Sequence, residues 1–365
     1  MKNEKLISIH CIFVYMFSLI MVILFFKFFC YQSDLKHTPK TTPVTVTVTD
    51  TIECFHDKTA DSLPDISQIA PRKGKSIFFH ETSCKSFYHG KIHITARQAC
   101  AVESAAKMNP NLDVYLLYSS PGLIKMEGDE SDLFLNALMS YKNVQIMHLD
   151  YEKYTNDTPV EELYTTGKID NSSHKIEHAS DIIRYLTLWK YGGIYLDLDV
   201  VVLESLEKVT LNYAGCEFDR TAAAGVLSFA PDGNGHQWAE ICINDLKNGY
   251  NGRSWSNSST GVIRRLLKSI CERDSLEKAT TTNCQGFTLY ARDVFYPVPW
   301  TQWRRYFEEK DFEHVIRSTE NSKTLHMWNK LSKDEKISLD NVYTSYLYYA
   351  KKACPKVIAA CDKYF

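Results

Sequence analysis

The sequence lacks an excess of charge of either sign. Its 365 residues include 42 lysine and arginine residues and 44 aspartate and glutamate residues, so its formal net charge is -2. A chain with this balance has no global basic surface, so a polyanionic partner would need a local basic patch. We therefore expect no nucleic-acid partner. The sequence also contains no internal repeat, and its composition suits one large or two smaller globular domains.

Charged residues are also absent from residues 6–26, where the chain is almost wholly apolar. This run of about 21 residues matches the roughly 20 that a helix needs to span a bilayer. A cleaved signal peptide would have a shorter apolar core followed by small residues. Residues 25–31 read Phe-Phe-Lys-Phe-Phe-Cys-Tyr and lack that pattern. We predict an uncleaved signal anchor over residues 6–31, after a cytosolic tail of residues 1–5.

The orientation of this segment does not follow from its flanking charges, because lysines lie on both sides of it. Three N-glycosylation sequons, at Asn156, Asn171 and Asn257, favour a C-terminal body in the secretory lumen, although Pro159 weakens the first. Eleven cysteines also fit an oxidising compartment. We predict a single-pass type II membrane protein.

Nine of the cysteines follow the anchor and its edge, and nine is an odd number. At least one is therefore free or pairs between two chains, as in a homodimer. Cys84 with Cys100 and Cys271 with Cys284 are candidates for local bridges. The connectivity does not follow from the sequence, and a buried free thiol is the alternative for each cysteine.

Two regions follow the anchor. Residues 32–75 are rich in threonine, proline, aspartate and serine and are predicted to form a stem, although an alternating Val-Thr run also fits a strand. Residues 76–365 are predicted to form the luminal folded domain. Strands are expected at Ser76–Glu81, Asp113–Tyr118 and Val144–Leu149, with a helix at Ile94–Lys107. This alternation predicts an α/β domain with a mostly parallel sheet, which binds ligands beyond the carboxyl ends of its strands.

The most informative segment of the domain is residues 178–202. A helix is predicted to begin with Ser180 as its cap, and Gly192 and Gly193 are expected to end it. An apolar strand is then predicted over Ile194–Val202.

This predicted strand carries Asp197 and Asp199 near its middle. On an ideal strand, carboxylates at i and i+2 face the same side, and burying two unpaired carboxylates is costly. A divalent cation such as Mn²⁺ or Mg²⁺ would remove that cost and could bind a diphosphate. The alternative is that both aspartates close a salt-bridge network at the end of a strand.

Asp181 and Arg184 are three residues apart and therefore share one face of the predicted helix. Beside a metal-bound diphosphate, they could hold sugar hydroxyls and a phosphate oxygen. The alternative is an ordinary intrahelical ion pair.

These motifs together resemble the retaining glycosyltransferases that carry a DXD sugar-binding region. They are Ser180-Asp-X-X-Arg, the Tyr-Gly-Gly-Ile-Tyr turn that ends at Tyr195, and the Asp-X-Asp. Later segments are similar to the α-1,4-galactosyltransferase and α-1,4-N-acetylglucosaminyltransferase family: Phe295-Tyr-Pro-Val-Pro-Trp-Thr-Gln-Trp, His326-Met-Trp-Asn-Lys, Cys354-Pro and the Cys271–Cys284 spacing.

The resemblance implies a GT-A fold, a type II protein of the Golgi membrane, a UDP-sugar donor, Mn²⁺ and retention of the α anomer. It implies that Asp197 and Asp199 are catalytic residues and metal ligands, with His326 as a third metal ligand or a phosphate ligand. The alternative for His326 is a histidine packed beside Trp328. Asp181, Arg184 and Tyr195 would bind the donor. The expected acceptor is a lactosylceramide-like glycolipid, in glycosphingolipid biosynthesis.

Some positions depart from the family pattern. Ser259-Thr260 stands where Gly-Pro is expected, and Ala222-Ala223-Ala224-Gly225 where Asn-Gly is common. These changes put the acceptor in doubt and leave a catalytically silent sugar-nucleotide-binding relative as an alternative. A second alternative is a phosphatase with an aspartate nucleophile, for which the fold would open at Ile194.

The acceptor side and the chemistry of transfer are less determined by the sequence. Trp300 and Trp303 could stack on an acceptor sugar or fill the core, and we expect at least one in the core. No nucleophilic carboxylate is evident, so front-face attack and double displacement both stay open. The donor is galactose, N-acetylgalactosamine or N-acetylglucosamine linked to UDP, and no side chain selects among them.

Overall fold

The computed structural model describes residues 52–57, 63–218, 221–271, 281–341 and 343–365. The predicted tail and anchor, residues 1–31, and the first part of the predicted stem lie outside the described residues. Within the described ranges, no helix is both long enough and apolar enough to cross a membrane.

The described residues contain ten strands. They are β1 Ser76–Glu81, β2 Asp113–Tyr118, β3 Val144–His148, β4 Gly193–Leu196, β5 Val200–Val202, β6 Tyr213–Phe218, β7 Thr221–Phe229, β8 Thr282–Cys284, β9 Phe287–Tyr290 and β10 Thr324–His326.

The α-helices of the described residues fall into long helices that cover the sheet and short ones in the connections. In chain order they are α1 Glu53–His56, α2 Lys85–His89, α3 Ala96–Met108, α4 Glu130–Met139, α5 Tyr151–Thr155, α6 Glu161–Thr165, α7 Lys175–Tyr191, α8 Gly233–Gly249, α9 Thr260–Ile270, α10 Arg292–Phe295, α11 Phe312–Ser318, α12 Asn329–Ser332, α13 Ser345–Ala353 and α14 Pro355–Ala360. Short 3₁₀ turns cover Ile66–Gln68, Trp300–Tyr306 and Glu309–Asp311.

Eight of these strands form one mixed sheet in the order β3-β2-β1-β4-β7-β6-β9-β8, and β5 pairs with β10 in a second, two-stranded sheet. Strands β3, β2, β1 and β4 run parallel, as do β6 and β9, whereas β4–β7, β6–β7 and β8–β9 are antiparallel. The predicted α/β class with a mostly parallel central sheet is confirmed.

The sheet is covered on both faces, so its strands are almost entirely apolar. All six residues of β1 are buried. One apolar cluster contains Phe79 and the inner faces of α3, α4, α13 and α14, and the other contains Phe78 and the inner faces of α7, α8 and α9. Burial on both faces explains why β1 and β2 have the predicted bounds, since continuous apolar runs are typical of such strands.

Two glycines let α7 turn directly into β4. Gly192 and Gly193 have φ values of +62° and +92°. A Cβ atom would lie 2.6 Å from the Pro231 nitrogen at Gly192 and 2.5 Å from the Ser76 carbonyl oxygen at Gly193. Only glycine fits both the positive φ and the close approach. The predicted end of the helix is confirmed, but the helix begins at Lys175, so the predicted cap at Ser180 is wrong.

The predicted strand Ile194–Val202 is also interrupted. The chain leaves the main sheet after Leu196, turns through residues 197–199, and then pairs with β10 as β5. The Asp197 N–H donates to the Gly225 carbonyl and the Val200 N–H to the Asp197 carbonyl, which closes the turn. The two aspartates are therefore presented by a turn between two sheets and not by one strand face.

Part of the predicted stem packs on the fold. Ile52, Cys54 and Phe55 are buried, and the Phe55 ring stacks on Tyr151 with 5.1 Å between centroids. Ile66, in the second described segment of the stem, is also buried. These described residues of the predicted stem therefore belong to the folded body.

Three disulfides join parts of the body: Cys54–Cys84, Cys100–Cys354 and Cys271–Cys284. The predicted Cys271–Cys284 bridge is confirmed. The predicted Cys84–Cys100 bridge is wrong, because Cys84 at the start of α2 faces the 52–57 segment and Cys100 on α3 faces the C-terminal helices. Three cysteines of the described residues are free: Cys216, Cys242 and Cys361.

Candidate active site

The turn between β4 and β5 places two carboxylates beside an imidazole. The His326 Nε2 atom lies 3.5 Å from Asp197 Oδ2 and 3.4 Å from Asp199 Oδ1. One ligand atom from each of the three residues lies within 4.8 Å of the others. Two carboxylates and one imidazole are a donor set that suits a divalent ion such as Mn²⁺. The residues present therefore fit the metal that the sequence implies.

The backbone around β10 holds this cluster in place. Asp199 Oδ2 accepts the Asn329 N–H at 2.7 Å, and the Asp199 carbonyl accepts the Met327 N–H at 2.9 Å. The Trp328 N–H donates to His326 Nδ1 at 3.2 Å, and the two rings are 4.1 Å apart. His326 is thus packed beside Trp328 and also faces both aspartates, so its packing is compatible with a place in the carboxylate cluster.

Helix α7 supplies a buried cation to the same carboxylate cluster. Arg184 Nη2 donates to Asp197 Oδ1 at 3.0 Å and lies 3.4 Å from Asp181 Oδ1. The Tyr195 hydroxyl donates to the same Asp197 oxygen at 2.8 Å, and its ring lies 4.5 Å below the guanidinium carbon. The intrahelical ion pair that was the alternative for Asp181 and Arg184 is therefore present, and it extends to the Asp-X-Asp turn.

The charges of the cluster shift its proton affinities in opposite directions. Burial would raise the pKa of Asp197, but Arg184 and His326 outweigh it and hold that pKa well below its usual value. Burial raises the pKa of Asp199, His326 lowers it and Asp197 raises it, and the net shift is upward. Burial also raises the pKa of Asp181 to about 6. The neighbours of Asp197 thus favour its ionised form, whereas Asp199 is an anion that a bound cation would stabilise further.

The cluster lies at the inner end of a cavity of about 840 Å³ beyond the carboxyl ends of β1 and β4. Thr82, which follows β1, lines it together with Asp181, Arg184, Asp197 and His326. Ligands are expected at this edge of the sheet. At the mouth, Trp255 and Trp300 are each 47% exposed. Trp303 is buried, so the expectation of at least one core tryptophan is confirmed.

Two residues of the cavity do not stand out as site residues in the sequence. Gly225 lies so close to the turn that a Cβ atom would be 2.6 Å from Asp197 Oδ2 and 3.1 Å from His326 Nε2. Glu217, near the end of β6, lines the cavity with a half-buried side chain. Gly225 lies in the Ala222-Ala223-Ala224-Gly225 segment that departs from the family pattern, and Glu217 belongs to no recognisable local motif. Only the pairing of β6, β7 and β4 brings them to the turn.

The three sequons differ in their exposure. Asn156 and Asn171 are exposed. Asn257 is half-buried, and its side chain donates to the Gly249 carbonyl at 2.6 Å and accepts from Arg265 at 2.9 Å. A glycan at Asn257 would displace both hydrogen bonds, whereas the other two sites are open to the solvent.

Two family models match the chain. One, described as an alpha 1,4-glycosyltransferase conserved region, matches residues 231–361, and the other, described as a glycosyltransferase sugar-binding region containing a DXD motif, matches residues 95–215. The mouse lactosylceramide 4-alpha-galactosyltransferase is 31% identical over 258 residues, which cover 70% of this chain and 68% of that protein. The chain belongs to the α-1,4-glycosyltransferase family.

Other members of the α-1,4-glycosyltransferase family show comparable similarity. The human lactosylceramide 4-alpha-galactosyltransferase is 31% identical over 70% of this chain and 69% of its own length. The human alpha-1,4-N-acetylglucosaminyltransferase is 26% identical over 71% of this chain and 74% of its own length. Among solved structures, the match to the galactosyltransferase LgtC covers 78% of this chain and 95% of that one at 13% identity and a TM-score of 0.40.

Family membership agrees with the geometry of the site. The sugar-binding match contains Asp181, Arg184, Asp197 and Asp199, and the α-1,4-glycosyltransferase match contains His326. The fold joins these two matched regions at one cavity. The phosphatase alternative required a fold that opens at Ile194, whereas three parallel strands precede β4 in the sheet. The prediction of a glycosyltransferase is confirmed.

Proposed function

We propose that this protein is a retaining, Mn²⁺-dependent α-1,4-glycosyltransferase that moves galactose, or N-acetylgalactosamine, from a UDP-sugar to the terminal sugar of a lactosylceramide-like glycolipid. The observation that carries the proposal is the Asp197, Asp199 and His326 cluster, which opens into a cavity that also contains a buried arginine. Both named relatives of the family are sugar transferases that form α-1,4 or 4-α linkages.

In this proposal, Asp197, Asp199 and His326 hold the Mn²⁺, which neutralises the diphosphate of the departing UDP when it is bound. Asp197 is kept ionised by Arg184, so it is ready to bind a cation without first losing a proton. Arg184 also fixes Asp197 in one orientation through their hydrogen bond at 3.0 Å.

In this proposal, Asp181 and Tyr195 stabilise the conformation of the donor site. Asp181 is buried, accepts from the Ser258 hydroxyl at 3.1 Å and pairs with Arg184, so it ties α7 to the loop before α9. Its remaining lone pairs can accept from a sugar hydroxyl. The Tyr195 ring supports the guanidinium from below. Such preorganised groups lower the barrier because they need no rearrangement as charge develops.

The acceptor binds at the mouth of the cavity in this proposal. Trp255 and Trp300 offer exposed ring faces there, and flat aromatic faces suit the apolar side of a sugar ring. Trp255 is held in place by Lys330, whose Nζ lies 4.9 Å from the ring and 2.6 Å from Glu177.

We place the protein in the Golgi membrane as a single-pass type II protein, with residues 6–31 as its anchor and its catalytic domain in the lumen. Three disulfides in the described body and the exposed sequons at Asn156 and Asn171 support a secretory compartment. A homodimer would be consistent with the three free cysteines, of which Cys216 is half-buried.

The test measures UDP release by the full-length chain in detergent micelles. UDP-galactose, UDP-N-acetylgalactosamine and UDP-N-acetylglucosamine are each supplied with and without Mn²⁺, and with and without lactosylceramide. We expect Mn²⁺-dependent release that rises with one donor and with the acceptor. Asp199→Ala should abolish it, whereas Asp340→Asn, at an exposed position, should leave it unchanged.

The outcomes separate the alternatives. UDP binding by a folded chain without release would support the catalytically silent relative, as the departures at Ala223 and Ser259 allow. Full activity of the Asp199→Ala variant would contradict the metal site. Release with UDP-N-acetylglucosamine alone would correct the donor.

A further inference from the structure

Glu217 is a carboxylate of the cavity to which the proposed function gives no role. It lies near the end of β6, is half-buried and lines the same cavity as Asp197, Asp199 and His326. Burial raises the pKa of Glu217, Asp197 adds to that shift, and His326 and Arg264 oppose it. Glu217 therefore shares one cavity with the three residues of the proposed metal site.

The other carboxylates of the cavity have partners. They are Asp181 with Ser258 and Arg184, Asp197 with Arg184 and Tyr195, Asp199 with the Asn329 amide, and Glu177 with Lys330. Within the described part of the chain, no hydrogen bond or ion pair engages Glu217. A half-buried glutamate without a partner costs stability, and such a cost is common where a group meets a substrate.

The strand pairing next to Glu217 is irregular. The register of β6 on β7 shifts between the pair Ala214–Leu227 and the pair Cys216–Ala222. Residues 223–226 of β7 therefore lie opposite a single residue of β6, and three of them, Ala223, Ala224 and Gly225, line the cavity. Irregular pairing of this kind re-aims side chains and is frequent beside active sites.

We propose that Glu217 is the catalytic nucleophile of a double displacement. This inference rests on the proposed function. In the first step, a Glu217 carboxylate oxygen forms a bond to the anomeric carbon, while the bond from that carbon to the UDP oxygen breaks and UDP leaves with the electron pair. The product is a β-linked glycosyl ester on Glu217.

In the second step, the acceptor hydroxyl oxygen attacks the same carbon, and the ester bond breaks to restore the Glu217 carboxylate. The proton of the acceptor hydroxyl passes to a phosphate oxygen of the departing UDP. Two inversions give net retention, so the α linkage of the donor appears in the product. No oxidant, reductant or further reactant is needed.

The test compares Glu217→Ala and Glu217→Gln with Glu204→Ala in the full-length chain. Glu204 lies in a separate groove with Lys208 and Tyr290, and it serves as the matched control. Wild-type transfer is measured first, so that failure of the proposed function is recognised on its own. Mn²⁺-dependent UDP binding and the melting temperature of each variant then show that the site and fold are intact.

We expect both Glu217 variants to bind UDP with Mn²⁺ but to lose about 100-fold or more in transfer rate, and Glu204→Ala to match the wild type. Sodium azide should restore donor turnover in Glu217→Ala, because azide fits the space of the missing carboxylate. Since only one displacement then occurs, the product should be a β-glycosyl azide. Mass spectrometry of the wild type, quenched with donor alone, should find a hexose on the peptide that contains Glu217.

Two results would overturn the inference. One is transfer by Glu217→Gln at the wild-type rate. The other is a Glu217→Ala variant that binds UDP but forms no glycosyl azide, which would indicate front-face attack with Glu217 in a positioning role. Glu217→Gln preserves the side-chain shape, so its transfer rate tests the nucleophile even if the alanine variant fails to fold.

Discussion

Replacement of Gly225 with alanine should disable the metal site without unfolding the protein. The added Cβ atom would lie 2.6 Å from Asp197 Oδ2 and 3.1 Å from His326 Nε2, whereas ordinary van der Waals contact begins at 3.4 Å. Gly225 has no positive φ, so alanine brings no backbone strain. The carboxylate oxygen must therefore move by about 0.8 Å, and the imidazole by a smaller distance.

The size of the effect follows from this displacement. A misplacement of about 1 Å at a reacting centre can cost about 10²-fold in rate. We therefore expect a roughly 100-fold loss of transfer and a higher Mn²⁺ concentration for half-maximal activity. Asp197 and His326 both line the cavity, so the loss of unfolding free energy should stay within the roughly 1–3 kcal/mol of core overpacking.

The assay is a Mn²⁺ titration of UDP release by the wild type, Gly225→Ala and a control, Gly249→Ala. Gly249 ends α8 with open space around the position of a Cβ atom. The control should match the wild type in activity and in its Mn²⁺ requirement. Wild-type transfer and an unchanged Mn²⁺ requirement in Gly225→Ala would refute the placement of the ion between Asp197 and His326.

Three further predictions concern the disulfides, the acceptor and pH. Cys100→Ser opens the Cys100–Cys354 bridge, whose ends are 254 residues apart, and should lower the unfolding free energy by about 5 kcal/mol in urea titrations. Cys271→Ser opens a bridge that closes only 13 residues and should lower it by about 3 kcal/mol. A larger loss in Cys271→Ser than in Cys100→Ser would contradict this reasoning. Trp300→Ala should raise the acceptor KM about tenfold, equal to about 1.4 kcal/mol, with donor hydrolysis unchanged; an unchanged KM would exclude stacking at Trp300. Burial raises the pKa of Glu81 from 4.5 to about 7, so this carboxyl group ionises at a lower pH in the unfolded chain than in the folded one. The unfolding free energy of the wild type should therefore fall by about 3 kcal/mol between pH 4.5 and 7 relative to that of Glu81→Gln. Parallel pH profiles of stability for the two proteins would disprove this prediction.

The sequence predicts those parts of the fold that local pattern controls. Strands β1 and β2 are continuous apolar runs, and their bounds are as predicted. Helix α3 begins at Ala96 and not at Ile94, because Thr95 caps it and Gln98 completes a capping box. Such errors of one or two residues arise where a side-chain hydrogen bond competes with helical propensity.

Features that depend on distant residues are beyond the reach of sequence patterns. The turn at Asp197 depends on a hydrogen bond to the Gly225 carbonyl and on the pairing of β5 with β10. The partner of Cys100 lies 254 residues away, so spacing along the chain favours the nearer Cys84 wrongly. Nothing local marks Glu217 either, because its exposure to the cavity is produced by a register shift between two strands.

The candidate site is predictable in its members but not in its geometry. The resemblance indicates Asp181, Arg184, Asp197, Asp199 and His326, which all line one cavity, and Tyr195, which is buried against Arg184. It does not indicate that Arg184 and the Tyr195 hydroxyl share a single oxygen of Asp197. That arrangement requires tertiary packing of α7 against β4, which a motif does not describe.

Because β5 pairs with β10, the proposed metal site can form only after most of the chain has been synthesised. His326 follows Asp197 by 129 residues, and the backbone amides that orient Asp199 belong to Met327 and Asn329. During translation, the Asp-X-Asp turn therefore emerges long before its third ligand and its hydrogen-bond donors. A chain that stops before residue 324 keeps the whole sugar-binding match yet cannot assemble the ion site. Metal binding would thus distinguish finished chains from prematurely terminated ones in a pool of newly made protein.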